Sequence, residues 1–143
     1  GTHHPALYSN VLYVRDLHWI AGDIPTPLLQ AGGESSYHNN HRPVLHAQCR
    51  VRNLQPLVGC QITFQTRDDN NGSMIYEIRT NKPLRAVTPG QHCAIYVGQG
   101  GLICLGGGTI LERGPTYHEL GMELHPQDLH PAGHNDLSVH SSV

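Results

Sequence analysis

The sequence predicts an all-β domain, and three features of its 143 residues lead to that conclusion. Short runs rich in Val, Ile, Leu and Tyr alternate apolar and polar residues, which is the period of a half-buried strand. Clusters of Gly, Pro and Asn separate these runs, as expected for turns. No segment of about ten or more residues combines a helical period with helix caps. Several short strands at close spacing indicate a barrel or a sandwich.

Eight runs of the chain are predicted to be strands. The Asn71-Gly72 pair lies between two alternating runs and is a strong hairpin signal, because both residues adopt positive φ easily. The predicted strands cover residues 10–17, 44–52, 58–67, 74–80, 84–87, 92–97, 102–105 and 109–112.

The sequence predicts one packed domain over residues 1–113 and a disordered tail over residues 114–143. The tail is rich in Pro, His, Asp and Ser, and it has too little apolar surface to fold on its own. Residues 24–42 are polar and indicate a long surface loop. No apolar run approaches the roughly 18 residues of a membrane-spanning helix, so we expect no membrane segment.

Charge is distributed unevenly along the chain. The formal net charge is −2, yet residues 42–85 contain seven basic residues against three acidic ones, whereas residues 112–143 carry a net charge of −4. A basic middle segment attracts polyanions even when the whole chain is near neutral.

The four cysteines are expected to be buried thiols rather than disulfides or metal ligands. None belongs to a C-x-x-C pair, and each lies in an apolar alternating stretch, which is typical of a chain in a reducing compartment. They are Cys49, Cys60, Cys93 and Cys104.

Arg50-Val51-Arg52 is the first candidate binding element. Residues two apart in a strand point to the same face, so the two guanidinium groups are expected about 6–7 Å apart along it. A solvated outer barrel face is the ordinary role of such a pair. The absence of acidic residues from 42 to 67 favours phosphate contact instead.

Thr88-Pro89-Gly90-Gln91 is the second candidate element. Pro followed by Gly at the two central positions predicts a type II turn. The Gln91 amide is then placed beside a tight turn, where it can reach a phosphate or a base edge.

Other motifs do not predict catalysis. The glycines at 106–108 are not followed by Lys and a helix, so they indicate a β-bulge or barrel corner rather than a phosphate loop. The twelve histidines match no metal-binding spacing, although a metal-binding protein remains an alternative. No Ser-His-Asp or Cys-His arrangement is recognisable.

Four stretches in order resemble the C-terminal region of tRNA-specific 2-thiouridylases, both bacterial and mitochondrial. The resemblance covers about residues 1–112. The stretches are HPALY with DLHWI (4–8 and 16–20), RVR with LVGC (50–52 and 57–60), RAVTPGQ with AIY (85–91 and 94–96), and CLGGG (104–108).

The resemblance implies a β-barrel similar to the second domain of translation elongation factors. It implies that an N-terminal PP-loop domain, outside this chain, uses ATP with Mg to adenylate the wobble uridine of tRNA, and that a persulfide then delivers sulfur to C2. The implied partners are tRNA, that PP-loop domain and a sulfur-relay protein. The implied location is mitochondrial, or cytoplasmic in a bacterium. The positions implied to contact tRNA are Arg50, Val51, Arg52 and Gln91.

The chain also departs from the family pattern. Val51 replaces an aromatic residue and Gly59 replaces a proline. The S-G-G-x-D-S-S nucleotide loop and the catalytic cysteines are absent from the chain, so we assign it no catalytic, cofactor or metal residue. The alternative is a barrel that packs on the catalytic domain or a sulfur-relay partner without touching tRNA.

Overall fold

The computed structural model describes residues 4–22, 24–25, 43–51, 55–67, 72–101 and 103–128. Six antiparallel strands form a closed barrel in the order β1-β4-β3-β2-β5-β6, which confirms the predicted fold. The strands are β1 (Tyr8–Trp19), β2 (Leu45–Arg50), β3 (Val58–Arg67), β4 (Met74–Arg85), β5 (His92–Val97) and β6 (Ile103–Arg113). Within the described ranges, no helix has the length and apolar character to cross a lipid bilayer.

The core fills the barrel with the inward half of each alternating run. In β4, for example, Tyr76 and Ile78 are buried, whereas Arg79 between Ile78 and Thr80 is exposed. Burying one such large apolar side chain contributes about 1.5–3 kcal/mol. The largest fully buried side chains are Tyr76, Leu12, Ile62, Ile78, Ile95 and Ile110.

Two strands each join two of the predicted runs. The run at 74–80 and the first two residues of the run at 84–87 belong to the single strand β4, which continues through Pro83 and ends at Arg85. The register shifts between Ser9 and Val11, so the partners jump from Arg79 to Leu84. Pro83 therefore lies at a position of the strand where no backbone N–H is needed for the ladder hydrogen bonds.

The glycines at 106–108 lie inside β6 rather than between two strands. Gly106 pairs with Trp19 on one side and Ile95 on the other. The register shifts between Arg15 and His18 of β1 and between Ile95 and Tyr96 of β5, so the expected irregularity is present at these glycines. A Cβ atom on Gly106 would collide with the His18 carbonyl oxygen, and one on Gly108 would lie 2.8 Å from the Arg15 carbonyl oxygen. These glycines permit close backbone approach and have a structural role.

The chain after β6 departs from the expected tail. The Gly114 and Tyr117 amides donate to the carbonyls of Val11 (2.6 Å) and Tyr8 (2.9 Å), and Thr116 and Tyr117 are buried. The packed structure therefore extends beyond the predicted boundary at 113, because this turn completes the hydrogen bonding of the N-terminal segment. Residues 129–143 lie outside the described residues, as does most of the predicted loop at 24–42.

A reciprocal hydrogen-bond pair begins the turn that follows β6. The Thr116 hydroxyl accepts from the Glu119 amide (3.2 Å), while the Glu119 carboxylate accepts from the Thr116 amide (2.9 Å) and from Arg113 (3.0 Å). This is the capping box that the sequence T-x-x-E encodes. Gly121, with φ +69°, ends the turn.

The stability of this turn should decrease in acid, because the turn depends on the Glu119 carboxylate. Hydrogen bonds from the Thr116 amide and hydroxyl, followed by the Arg113 side chain, lower the pKa of Glu119. A carboxylate with a lowered folded-state pKa stabilises the fold above its unfolded pKa, and the contribution is lost as pH falls through the folded value. The amide proton shift of Thr116 should therefore titrate below the ordinary glutamate range. In Glu119→Gln that titration should be absent, and its persistence would contradict the capping box.

Candidate nucleic-acid interface

Arg50 is held on the outside of the barrel by a tyrosine. It is the last residue of β2 and lies opposite Ala94 of β5. Its Nη2 donates to the Tyr96 hydroxyl at 3.2 Å, and its Cζ lies 5.4 Å from the centroid of that ring. This cation–π contact restricts the guanidinium without neutralising it, so the positive charge remains available.

Arg50 belongs to an outer surface that we call the β2–β5 face. In β2 and β5, Cys49, Cys93 and Ile95 are fully buried, so the residues that alternate with them along these strands point outward. The face contains no carboxylate, and the two ion pairs among the described residues, Glu77–Arg79 and Arg113–Glu119, involve none of its members. The β2–β5 face consists of Gln48, Arg50, His92, Ala94 and Tyr96.

The other basic residues of the middle segment do not gather on this face. Arg67 is on β3, and Arg79 lies on β4 with its Nε 2.6 Å from the Glu77 carboxylate. Among the described basic residues between 42 and 85, Arg50 alone belongs to the β2–β5 face. The clustering along the sequence is therefore only partly a clustering in space.

Gln91 stabilises the turn that precedes β5. Gly90 has φ +90° and the Gln91 amide donates to the Thr88 carbonyl at 3.4 Å, so the expected type II turn is present. The Gln91 side-chain Oε1 accepts from the Thr88 amide at 2.9 Å. No hydrogen bond among the described residues uses its Nε2, which leaves a donor about 10 Å along the strand from Ala94.

Val51 and Arg52 do not extend the face. β2 ends at Arg50, and Val51 is only 8% exposed and packs in the core. The Val51 side chain therefore turns inward, and the implied contact of this position with tRNA stays a prediction. Arg52 lies outside the described residues, so the predicted pairing of two guanidinium groups stays a prediction.

Three of the four cysteines, Cys49, Cys60 and Cys93, are buried thiols, as predicted. Hydrogen bonding with the thiols of Cys60 and then Cys93, together with burial, raises the pKa of the Cys49 thiol well above its ordinary value. A thiol in that state forms little of the thiolate that acts as a nucleophile. Cys104 is exposed rather than buried, since it points outward from β6 opposite Tyr96.

Sequence reasoning did not single out Tyr96 and His92, which complete the face around Arg50. The signal was the period of two in residues 92–97, which places His92, Ala94 and Tyr96 on one side. Among the described residues, no group of three or more His, Cys, Asp or Glu side chains could hold a metal ion.

Comparison with known proteins gives one consistent family. The model of the aminomethyltransferase β-barrel domain matches residues 9–110. The tRNA-specific 2-thiouridylase MnmA of Protochlamydia amoebophila is 37% identical over 119 residues, which are 83% of this chain and 25% of that protein. The mitochondrial tRNA-specific 2-thiouridylase 1 of Gallus gallus is 33% identical over 116 residues, which are 81% of this chain and 23% of that protein.

The similarity covers only part of the length of each relative. The chain spans about a quarter of the length of these relatives, and the family match over residues 9–110 covers β2 to β5 completely and most of β1 and β6. The resemblance inferred from the four sequence stretches is confirmed. The chain belongs to the aminomethyltransferase β-barrel domain family, in the form found in the C-terminal part of tRNA-specific 2-thiouridylases.

Proposed function

We propose that this barrel is the tRNA-binding part of a tRNA 2-thiouridylase and that its β2–β5 face contacts the RNA backbone. One observation carries the proposal: the Arg50 guanidinium is positioned on Tyr96 within an outer surface that has no carboxylate. A preorganised guanidinium matches a phosphate in shape and charge and loses little side-chain freedom on binding.

The neighbours of Arg50 suit the same ligand. Tyr96 offers an aromatic ring on which an unstacked base can lie, while the Arg50 guanidinium contacts the same ring. The Gln91 Nε2 is a further donor beside the turn that precedes β5. Phosphate contacts position the RNA, whereas the ring and the amide are the groups that can distinguish bases.

Removal of the Arg50 charge should weaken RNA binding in a salt-dependent way. In Arg50→Gln, we expect the slope of log affinity against log salt concentration to fall by about 0.7–0.9, because one phosphate contact is lost. The measurement is a fluorescence-anisotropy titration of the chain with tRNA at several salt concentrations. Arg79→Gln is the matched control, since that arginine is paired with Glu77 on another part of the barrel. An Arg50→Gln slope equal to that of the unchanged chain would contradict the proposal.

The rest of the reaction is proposed for the whole protein. ATP with Mg would act in a catalytic PP-loop domain outside this chain, which would put sulfur on C2 of the wobble uridine, with sulfur supplied through a relay protein. The support is the similarity to proteins named as 2-thiouridylases. A mitochondrial location is supported by the Gallus gallus relative, and a bacterial cytoplasm by the others.

A second candidate function is packing on the catalytic domain. Leu120 and Met122 are 49% and 45% exposed on the turn after β6. That turn is hydrogen-bonded to the N-terminal segment, since the His118 amide donates to the Pro5 carbonyl. The centroids of the His118 and His4 rings lie 5.6 Å apart. An apolar surface beside this junction suits a neighbouring domain. Unchanged RNA affinity in every variant of the β2–β5 face would favour this function.

A further inference from the structure

A pocket of about 280 Å³ opens at the barrel end where β1 and β3 finish and β4 begins. It shares no residue with the β2–β5 face. Its volume is close to the lower end of the range for small-molecule sites, so it suits one small ring system. Its lining includes Asp16, Trp19, Arg67, Ser73, Met74 and Tyr76.

The floor of the pocket is aromatic and held rigidly. Trp19 and Tyr76 meet edge to face, with centroids 6.2 Å apart, and Phe64 supports Tyr76 from 5.9 Å. Trp19 and Phe64 are the only Trp and the only Phe of the chain. Burial raises the pKa of Tyr76, against the opposing effects of hydrogen bonding with Trp19 and of the Arg67 charge. The hydroxyl therefore stays protonated near neutral pH.

The rim carries two opposite charges that do not pair with each other. Asp16 is exposed and has φ +54°, in the irregular part of β1 between Arg15 and His18. Arg67 is exposed, and its Nη1 makes only a long contact of 3.5 Å with the Gly72 carbonyl. Among the described residues, no ion pair joins Asp16 to Arg67, although both line the pocket. Within the described part of the chain, a carboxylate acceptor and a guanidinium donor therefore line the pocket without pairing with each other.

These charges select the kind of ligand. The carboxylate repels an anion and the guanidinium repels a cation. A neutral planar ring that carries both acceptors and donors on its edge satisfies both groups. Nucleobases have such edges: guanine accepts from Arg at O6 and N7, and the amino groups of bases donate to carboxylates.

We propose that this pocket binds a nucleobase above its largely buried floor of Trp19 and Tyr76, with the edge of the base between Asp16 and Arg67. The base can come from a free nucleotide or from an unpaired position in RNA, since both present the same ring. This site goes beyond the proposed backbone contact, and neither depends on the other.

The single tryptophan makes the proposal directly testable. Guanosine monophosphate and an unstructured oligoribonucleotide are titrated into the full chain while Trp19 emission is recorded, with calorimetry in parallel. Ribose 5-phosphate, which lacks a base, is the ligand control. We expect a saturable change that weakens at least fivefold in Arg67→Gln and in Asp16→Asn. Both residues are exposed, and Asn tolerates positive φ, so both variants should fold.

Arg79→Gln should leave the response unchanged, because that arginine is paired with Glu77 and lies outside both proposed sites. Binding of the oligoribonucleotide alone assigns the pocket to a base presented by RNA, and equal binding of the monophosphate assigns it to a free nucleotide. An equal response to ribose 5-phosphate would overturn the proposal. So would the absence of both a fluorescence change and a binding heat.

Discussion

Gly106→Ala should lower the free energy of unfolding by about 3 kcal/mol, because it combines backbone strain with a collision inside the barrel wall. A Cβ atom at this position would meet the His18 carbonyl oxygen and would lie 3.0 Å from the His18 carbonyl carbon and 3.2 Å from the Trp19 Cα. All three are backbone atoms, so no side chain can rotate away. The β1–β6 contact that closes the barrel must open instead. Thermal unfolding followed by circular dichroism should show a melting temperature lower by roughly 10 °C.

Gly22→Ala is the control that measures backbone strain without a steric collision. Gly22 also has positive φ, +86°, but a Cβ atom there would have nothing within 4 Å. Gly22→Ala should therefore cost only the conformational strain, about 1 kcal/mol. Equal losses in the two variants would show that close packing of β6 against β1 does not explain the glycine at 106.

Ala94→Glu should weaken tRNA binding at least tenfold, the second large effect that we expect. Ala94 lies opposite Arg50 in the β2–β5 ladder, so a carboxylate at this position would neutralise the guanidinium and repel phosphate. A tenfold loss corresponds to about 1.4 kcal/mol, which is within the range of one close charge interaction near a protein surface. The measurement is the same anisotropy titration with tRNA.

Ala94→Gln is the control for that substitution, because glutamine has the size of glutamate without its charge. We expect it to retain most of the affinity. If both variants bind as tightly as the unchanged chain, RNA does not contact this part of the barrel. If both lose affinity equally, the effect is steric and the electrostatic explanation fails.

Much of the barrel could be predicted because local rules and the fold agree. Alternation identified every strand, and the type II turn at 88–91 followed from Pro and Gly at its two central positions. What alternation could not show was that separate runs form one strand. β4 continues through Pro83 only because a register shift leaves this position without a partner that needs a backbone N–H donor. A register shift depends on the neighbouring strand, which alternation within one run does not reveal.

The described structure continues past the predicted boundary at 113, and the sequence contains a signal for this turn that the prediction did not use. Thr116 and Glu119 form a capping box, whereas the boundary was placed from low apolar content. The order of this turn comes from backbone bonds to Tyr8 and Val11, which are distant in sequence and cannot be inferred from composition.

The candidate interface was only partly predictable, for a similar reason. Strand period placed Arg50 outside, and the structure agrees. Strand period alone cannot say where β2 ends, so it could not test the pairing with Arg52 or show that Tyr96 is the partner. That partner is 46 residues away and is brought close by the β2–β5 ladder.

The most direct test of RNA contact by the β2–β5 face is to map the bound surface of the ¹⁵N-labelled chain with an anticodon stem–loop RNA. We expect the amide resonances of Gln48, Arg50, Ala94 and Tyr96 to shift progressively with added RNA, while those of the β3–β4 ladder around Thr63 and Glu77 stay in place. Shifts confined to β3 and β4, with the β2–β5 amides unmoved, would contradict it.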